Sequence, residues 1–356
     1  MNNPINILKQ SFISELQNGA NKKPSSLPFI RHHLSTSSKV QPNETFQTMV
    51  IGGSFYQKAL MKKVGNNFSL IEHNAGPQPP FLTEQDLMSF LEKHIDTNVK
   101  VVALNFAYPL TPVMRNDVLD GVLQDGSKEN TFTGLIGKTV GERIEQYMKD
   151  KHGQTLTVSS ANDTICLLLS GLVTRSWDQL AAGIVGTGLN FAIFLDQHTA
   201  VNLESANFDK FEQSYAGNII NKQSAAPGKS LYEKEISGAY LYKHFNILAQ
   251  KEGLDVEPIR STKDLDALAK SKDANVASLA RSILAVSADM VAAQIAGILE
   301  YCGRDLTFIM QGSLYWKGYQ FKEIVEKRVV GLVPRYQARY EKVLHSDLFG
   351  AAKLVA

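Results

Sequence analysis

The chain has 356 residues, enough for about two domains, and 44% of them are apolar while 20% are charged. This balance is typical of a globular protein and excludes a wholly disordered chain, a collagen, a coiled coil and a disulfide-stabilised scaffold. Lysine and arginine total 37 against 35 aspartates and glutamates, so the net charge is only +2. Such a balance predicts no nucleic-acid partner.

The cysteines and the hydrophobic runs indicate a compartment. Cys166 and Cys302 lie in apolar stretches without CxxC or CxxH spacing, and we interpret them as buried free thiols in a reducing environment. No basic start is followed by an apolar run of signal-peptide length, and no window holds about 18 uninterrupted apolar residues. We therefore expect a cytoplasmic protein without a membrane span.

The first elements along the chain are a helix, a strand and a second helix. Apolar residues recur every three to four positions over 5–17, which predicts a helix. An apolar run over 46–51 predicts a strand that ends at Gly52-Gly53-Ser54. The next helix is predicted over 84–95, with Thr83 as its N-cap.

The middle of the chain continues the alternation. A strand of the fully buried kind is predicted over 99–108, closed by Pro109. A helix is predicted over 139–150, and a strand over 155–160 leads into Asn162-Asp163-Thr164, where the next helix begins.

The last part of the chain predicts a hairpin with Gly186-Thr187-Gly188 at its tip, followed by helices and one more strand. The hairpin strands are 182–185 and 190–195, the helices are 231–252, 277–300 and 319–331, and the last strand is 306–310. Because strands and helices alternate along the chain, we predict the α/β class.

Three turns that contain glycine follow predicted strands. They are Gly52-Gly53-Ser54, Gly186-Thr187-Gly188 and Gly312-Ser313. Backbone N–H groups in such turns can surround phosphate oxygens, because glycine allows close approach. None has the spacing of a P-loop or a dinucleotide motif. Each turn alone is more typical of a structural turn, and three at strand ends in one chain favour phosphate binding more than one does.

Three carboxylates are candidates for chemistry. Asp163 follows a strand and starts a helix, so it is either part of a helix cap or a group that accepts a proton from a hydroxyl nucleophile. Glu204 and Glu233 are either solvated surface residues or groups that bind sugar hydroxyls, because carboxylates accept hydrogen bonds from hydroxyl groups in fixed directions. The eight histidines have no metal-ligand spacing, so no metal-ligating residue is predicted.

Taken together, the motifs resemble the hexokinase family of the actin-like sugar-kinase superfamily. Each motif alone is weak, but their order and spacing over nearly the whole chain are specific. The matching segments are Ser26-Leu27-Pro28, Gly52-Gly53-Ser54, 104–109, Asn162-Asp163-Thr164, 186–190, Asn202-Leu203-Glu204, 232–241 and 312–315.

The resemblance implies a two-domain actin-like (ribonuclease H-like) α/β fold with an interdomain cleft for a sugar and a nucleotide. Residues 1–45 would form an N-terminal helix and a connecting segment on the large domain, 46–163 the small domain and 164–356 the large domain. Whether the C-terminal helix returns to the small domain is left open. The substrates would be ATP and a glucose-like hexose, with Mg²⁺ as cofactor, and the protein would be a monomer or a homodimer.

The same resemblance assigns roles to individual residues. Asp163 would be the general base for transfer of the γ-phosphoryl group of MgATP to the 6-hydroxyl of the hexose. The sugar hydroxyls would be bound by Asn162, Asn190, Glu204 and Glu233. The nucleotide would be bound by Gly52, Gly53, Ser54, Gly186, Thr187, Gly188, Gly312 and Ser313.

The chain departs from the family pattern mainly where magnesium and phosphate are handled. Val50 stands at the place of the aspartate that holds magnesium through water, and Gln57 at the place of an arginine. Ala107 replaces a sugar-loop serine, Gln311 replaces an aspartate, and Lys138 is out of register with the family's Thr-Lys-Gly-Phe motif. Three functions stay open at this level: a divergent hexose kinase, a catalytically weak or inactive sugar sensor, or the same fold with another ligand.

Overall fold

The computed structural model describes residues 4–65, 67–126 and 129–355. Helices and strands alternate along them, which confirms the predicted α/β class. The ends of the predicted domain ranges, at 1–3 and 356, lie outside the described residues.

The helices and strands have the following bounds. The helices are α1 (Pro4–Ala20), α2 (Glu84–His94), α3 (Val140–His152), α4 (Asp163–Ser170), α5 (Tyr215–Gln223), α6 (Leu231–Ile236), α7 (Leu241–Glu252), α8 (Thr262–Leu268), α9 (Ala274–Cys302), α10 (Ser313–Lys317), α11 (Phe321–Leu332) and α12 (Ser346–Ala352). The strands are β1 (Ile30–His33), β2 (Thr45–Ile51), β3 (Phe55–Val64), β4 (Asn67–Pro77), β5 (Val101–Phe106), β6 (Leu110–Arg115), β7 (Val118–Leu123), β8 (Thr157–Ala161), β9 (Leu180–Val185), β10 (Leu189–Asp196), β11 (Thr199–Asn202), β12 (Leu306–Gln311) and β13 (Ala338–Glu341).

The described chain divides into two compact units. The first unit contains residues up to Phe29, Gly183–Phe191 and Leu203–Glu341. The second unit contains Ile30–Ala182, Ala192–Asn202 and the residues from Lys342 onward. Each unit is therefore built from separate stretches of chain, and the domain boundaries predicted after residues 45 and 163 stay a prediction.

The second unit contains a sheet with the strand order β4-β3-β2-β5-β8. β2 pairs with β5 and β5 with β8 in parallel, while β3 runs antiparallel to β2. β2, β5 and β8 are buried along most of their length, which explains their continuous apolar sequences. Because parallel strands share their direction, the chain leaves all three at the same edge of the sheet, at Gly52, Ala107 and Asn162.

Helices α2 and α3 cover this sheet through a core that includes Met88, Leu91 and Ile144. The predicted N-cap of α2 is confirmed, because Thr83 accepts a hydrogen bond from the N–H of Asp86 and the Asp86 carboxylate accepts one from the N–H of Thr83. Helix α12 packs on α4 and β2 in the same unit.

The other large sheet has the strand order β1-β11-β10-β9-β12-β13. In the first unit, α9 is the central helix, and α1, α7 and α11 pack around it. By length and composition alone α9 could cross a membrane, and among the described residues no other helix passes that test. Since 72% of its apolar window is buried inside the protein, this is weak support for a membrane span.

Candidate active site

Asp163 begins α4 directly after β8, at the edge where the parallel strands end. Asn162 is the N-cap, because its Oδ1 accepts a hydrogen bond of 3.0 Å from the N–H of Ile165. The Asp163 Oδ1 accepts hydrogen bonds from the Thr164 N–H at 2.7 Å and from the Thr164 hydroxyl at 3.2 Å. Asn162 is therefore the residue that caps the helix. Both hydrogen bonds from Thr164 end on Oδ1 of Asp163, so Oδ2 can accept a hydrogen bond or a proton from another group.

The environment of Asp163 favours its protonated form more than water does. Burial raises the pKa of this carboxyl, and the negative charge of Asp347 raises it further, while the hydrogen bonds from Thr164 lower it. The net direction is upward. A carboxylate with a raised pKa is a better proton acceptor than an ordinary aspartate, which suits a general base.

The turn Gly52-Gly53-Ser54 is anchored through its carbonyl groups in the second unit. The Gly52 carbonyl accepts hydrogen bonds from Gln78 Nε2 at 2.6 Å and from the Tyr108 hydroxyl at 2.5 Å. The Gly53 carbonyl accepts one of 3.1 Å from Asn130 Nδ2. In a trans peptide the following N–H points away from the carbonyl, so the N–H groups of Gly53 and Ser54 face away from these anchors. This orientation is the one a phosphate-binding turn requires.

A second turn, Gly186-Thr187-Gly188, lies in the first unit and is held by Gly238. The Gly186 N–H donates to the Gly188 carbonyl at 3.0 Å, and the Gly186 carbonyl accepts from the Gly238 N–H at 2.7 Å. A Cβ at Gly238 would lie 2.8 Å from the Gly186 carbonyl oxygen, so a side chain there would displace the turn.

The third turn, Gly312-Ser313, lies against the second one. Gly312 has φ of +111°, and a Cβ on it would lie 2.1 Å from the carbonyl oxygen of Val185, so only glycine fits there. The two turns border a cavity of about 560 Å³, and Gly186, Thr187 and Ser313 are among its lining residues. This volume lies in the range of small-molecule sites.

The same cavity is lined by residues that the sequence analysis did not single out. They include Gly238, Thr262, Lys263, Asp266 and Lys317. Lysines suit the phosphates of a nucleotide as point charges. Gly238 lies within the segment 232–241, whereas the α8 residues carry no motif and are found only through the fold.

The predicted sugar ligands of the first unit come together beside the second turn. Asn190 Nδ2 donates to Glu204 Oε1 at 3.5 Å, and Asn190 Oδ1 accepts the N–H of Ser205 at 3.2 Å. Glu233 Oε2 accepts the N–H of Leu189 at 3.0 Å. Glu204 has a left-handed backbone with φ of +51°, a conformation that costs about 1–2 kcal/mol in a residue other than glycine. Such strain is common at functional positions.

The two glutamates influence each other. Burial raises the pKa of Glu233, the charge of Glu204 raises it further, and the hydrogen bond from Leu189 lowers it. Hydroxyl groups that donate to both carboxylates would relieve their repulsion and partly replace the lost hydration. The cluster is therefore chemically suited to a polyhydroxylated ligand.

The structure thus distributes the predicted site residues over the units. The second unit contains Asn162, Asp163 and the turn Gly52-Gly53-Ser54, and the first unit contains Asn190, Glu204, Glu233 and the other two turns. Within 4–65, 67–126 and 129–355, no group of three or more His, Cys, Asp or Glu side chains could hold a metal ion.

The amino-acid sequence was compared with protein families and with curated proteins. No protein-family model matches the chain. It is 25% identical over 264 residues to a hexokinase of Kluyveromyces lactis, a match that covers 65% of this chain and 54% of that protein. The chain therefore spans about half the length of this curated relative.

Solved hexokinase structures are similar in fold to almost the whole chain. The fold is similar to a crystal structure of a hexokinase, with a TM-score of 0.78 and 18% identity, covering 99% of this chain and 95% of that one. It is also similar to the hexokinase from Schistosoma mansoni complexed with glucose, with a TM-score of 0.71, 20% identity and coverage of 99% and 94%. The fold is therefore the two-unit α/β fold of these hexokinase structures. In sequence the chain is similar to hexokinases, and its fold is similar to that of solved hexokinase structures.

Proposed function

We propose that the protein is a hexose kinase, which transfers the γ-phosphoryl group of MgATP to the 6-hydroxyl group of a glucose-like hexose. The observation that carries this proposal is the segment from Gly186 to Asn190. At its start, Gly186 and Thr187 line a cavity large enough for a small molecule. At its end, Leu189 and Asn190 bond to Glu233 and Glu204. One short turn therefore joins a phosphate-type cavity to a sugar-type cluster.

In this proposal the sugar is held by hydrogen bonds to its hydroxyl groups. Glu204 and Glu233 accept from the hydroxyls, and the amides of Asn162 and Asn190 can donate or accept. The hydrogen bond from Asn190 Nδ2 helps to hold the carboxylate of Glu204. Binding of the correct hydroxyl pattern is therefore the source of acceptor specificity.

Asp163 acts as the general base. Because Thr164 holds Oδ1, Oδ2 receives the proton from the sugar hydroxyl as that oxygen attacks the γ-phosphorus. The raised pKa of Asp163 makes this proton transfer more favourable than it is for an ordinary aspartate. The sugar oxygen thus loses its proton to Asp163 and gains the bond to the γ-phosphorus, while the bond from that phosphorus to the β-phosphate oxygen breaks and ADP leaves.

The nucleotide is bound by the backbone N–H groups of the three glycine turns, and Lys263 and Lys317 supply positive charge. Mg²⁺, bound with ATP, would neutralise charge that develops on the phosphate oxygens. The side chain of Val50 has no atom that can bind it. Oxygen ligands of the hard type that Mg²⁺ prefers are present near Asp163, on Asp347 and Asn105.

The test is a coupled assay for sugar phosphate with ATP, Mg²⁺ and glucose, repeated with other hexoses and other phosphoryl donors. Asp163→Asn should lower kcat by about 10²–10⁴-fold, the usual contribution of a general base. Asp150→Asn changes an exposed carboxylate on α3 of the same unit and should leave kcat unchanged.

Absence of turnover would overturn this function: if the wild type forms no sugar phosphate with any acceptor or donor, the protein is not a hexose kinase. If, without turnover, glucose raises the melting temperature and Glu204→Ala removes that shift, the protein is a sugar sensor instead.

A cytoplasmic location and a monomeric or dimeric state belong to the same proposal. Cell fractionation and size-exclusion chromatography with light scattering test them directly.

A further inference from the structure

Val50 lies in a lateral row of residues across the sheet of the second unit. In register, Gln57 on β3 faces Val50 on β2, and Val50 faces Asn105 on β5. Residues directly opposite one another on paired strands point to the same face of a sheet. Gln57 and Asn105 therefore flank Val50 on the same face, and Asn105 in turn faces Ala161, two residues before Asp163.

Helix α12 places a carboxylate over this row. Gln57 Nε2 donates to Asp347 Oδ2 at 3.5 Å, and Asn105 Nδ2 donates to the Asp347 backbone carbonyl at 3.5 Å. Both bonds are long, but they come from the two neighbours of Val50. An aspartate that reaches both neighbours lies over Val50 itself. Helix α12 therefore brings a carboxylate beside a neighbour of position 50, from a residue 290 positions after Gln57 in sequence.

Asn105 provides a second, independent sign of a ligand. Its side chain is fully buried, and its Oδ1 has no hydrogen-bond partner among the described residues. Because Nδ2 of the same amide contacts Asp347, the unpartnered oxygen lies within one amide width of that residue. A buried carbonyl oxygen without a donor is costly, and a cation would satisfy it.

The electrostatics of α4 agree with this placement. The charge of Asp347 acts on both Asp163 and Cys166, so its carboxylate lies close to the start of α4. Two carboxylates in one place repel each other, and a divalent cation offsets that repulsion. Mg²⁺ is usually bound through one or two carboxylates, with phosphates and water as its other ligands, so a large cluster of acidic residues is not required.

We propose that Asp347 and the Asn105 amide oxygen form the divalent-cation site that accompanies the nucleotide, with Asp347 in place of an aspartate at position 50. This rests on the proposed nucleotide-dependent function. It differs from the family pattern because the carboxylate comes from helix α12 instead of strand β2.

The experiment measures Mn²⁺ binding by electron paramagnetic resonance, with the full-length protein saturated with the β,γ-imido analogue of ATP. Asp347→Asn should weaken Mn²⁺ binding by at least about tenfold, because the amide keeps the shape of the side chain but not its charge. Affinity for the same nucleotide in EDTA should not change. Asp150→Asn, the same substitution at an exposed position, should leave both affinities unchanged.

A compensating variant keeps the test independent of folding effects. Adding Val50→Asp to Asp347→Asn should restore at least part of the Mn²⁺ affinity, because residue 50 lies beneath residue 347. Circular dichroism and melting temperature show whether each variant is folded.

The outcomes separate this proposal from the function on which it rests. Unchanged Mn²⁺ affinity in a folded Asp347→Asn protein, or a wild type that binds no Mn²⁺ in the presence of nucleotide, would overturn the cation site. Mn²⁺ binding that depends on Asp347, without sugar phosphate formation, would support the cation site and count against the hexose kinase alone.

Discussion

Replacing Gly350 by alanine should destabilise the second unit, because α12 approaches α4 at this residue without room for a side chain. An ideal Cβ on Gly350 would lie 1.8 Å from the carbonyl oxygen of Cys166 and 2.5 Å from its carbonyl carbon. Both are backbone atoms of a helix and cannot rotate away. To reach a contact of 3.0 Å, α12 must move by 3.0 − 1.8 = 1.2 Å.

The magnitude follows from two opposing effects. Overpacking costs about 1–3 kcal/mol, and a clash between two backbones belongs at the upper end of that range. Alanine in place of glycine inside a helix stabilises it by about 1 kcal/mol. The net loss in the free energy of unfolding is therefore about 2 kcal/mol.

Gly331→Ala is the matched control. Gly331 is also in a helix, α11, and a Cβ there would meet no atom within 4 Å. The same substitution should therefore stabilise the first unit by about 0.5–1 kcal/mol, through the lower conformational entropy of the unfolded chain. The two variants differ only in the space around the new methyl group.

Each unit has its own fluorescent reporter, because the chain has two tryptophans and Trp177 and Trp316 belong to different units. Urea unfolding in a Trp316→Phe background reports on the second unit through Trp177. A Gly350→Ala protein as stable as its parent in this assay would refute the described approach of α12 to α4. The same result would weaken the placement of Asp347.

Three further outcomes are expected. Asp120→Asn should cost about 3 kcal/mol, measured by the urea midpoint. Asp120 is fully buried and accepts hydrogen bonds from the N–H groups of Gly141 and Glu142 and from the Ser160 hydroxyl as well as from Arg115, and an amide NH₂ group cannot accept them, whereas Glu145 still pairs with Arg115; a loss below about 1 kcal/mol would contradict this. Gly238→Ala should weaken metal-free ATP binding about tenfold in calorimetry, because its methyl group would displace the Gly186 carbonyl; unchanged affinity would separate that turn from the nucleotide. For Glu233 the folded pKa is raised above its usual 4.5, so its contribution to stability is present at low pH and lost as pH rises through the folded pKa. Glu233→Gln should therefore raise the melting temperature at neutral pH but not at pH below about 4; a pH-independent difference would argue against this ionisation.

The sequence predicts the parts of the fold that have a strong periodicity. The buried parallel strands β2, β5 and β8 and the long helix α9 lie where their apolar patterns predict them. Strands β3 and β4 carry mixed polar sequence because most of β4 is exposed, so no alternation marks them.

One predicted helix is wrong in its continuity. The pattern over 231–252 predicts a single helix, but the structure has α6 and α7 with Ser237–Tyr240 between them. The break is explained by Gly238, whose N–H bonds to the Gly186 carbonyl instead of continuing a helix. A long-range contact overrides local propensity there, and the local sequence does not contain that information.

The residues of the candidate site are also predicted only in part from the sequence. Motif order predicts Asp163, Glu204, Glu233 and the glycine turns as site residues, and these roles stay a prediction. In the structure Glu233 and Glu204 bond to the adjacent residues Leu189 and Asn190. Asp347 has no motif. It is found only because the strand register places Gln57 and Asn105 on either side of Val50 and both contact Asp347.

The division of the sequence between the two units affects the rate of folding. Leu203–Glu341 of the first unit is inserted between Asn202 and Lys342 of the second. The second unit must therefore bring together chain ends separated by 341 − 203 + 1 = 139 residues. Closing a flexible loop of that length costs about 4 kcal/mol in chain entropy. If the inserted segment folds early, its two ends come closer together. The loop that remains to be closed is then effectively shorter, and α12 docks faster. Contacts of such high sequence separation favour slow folding of the second unit.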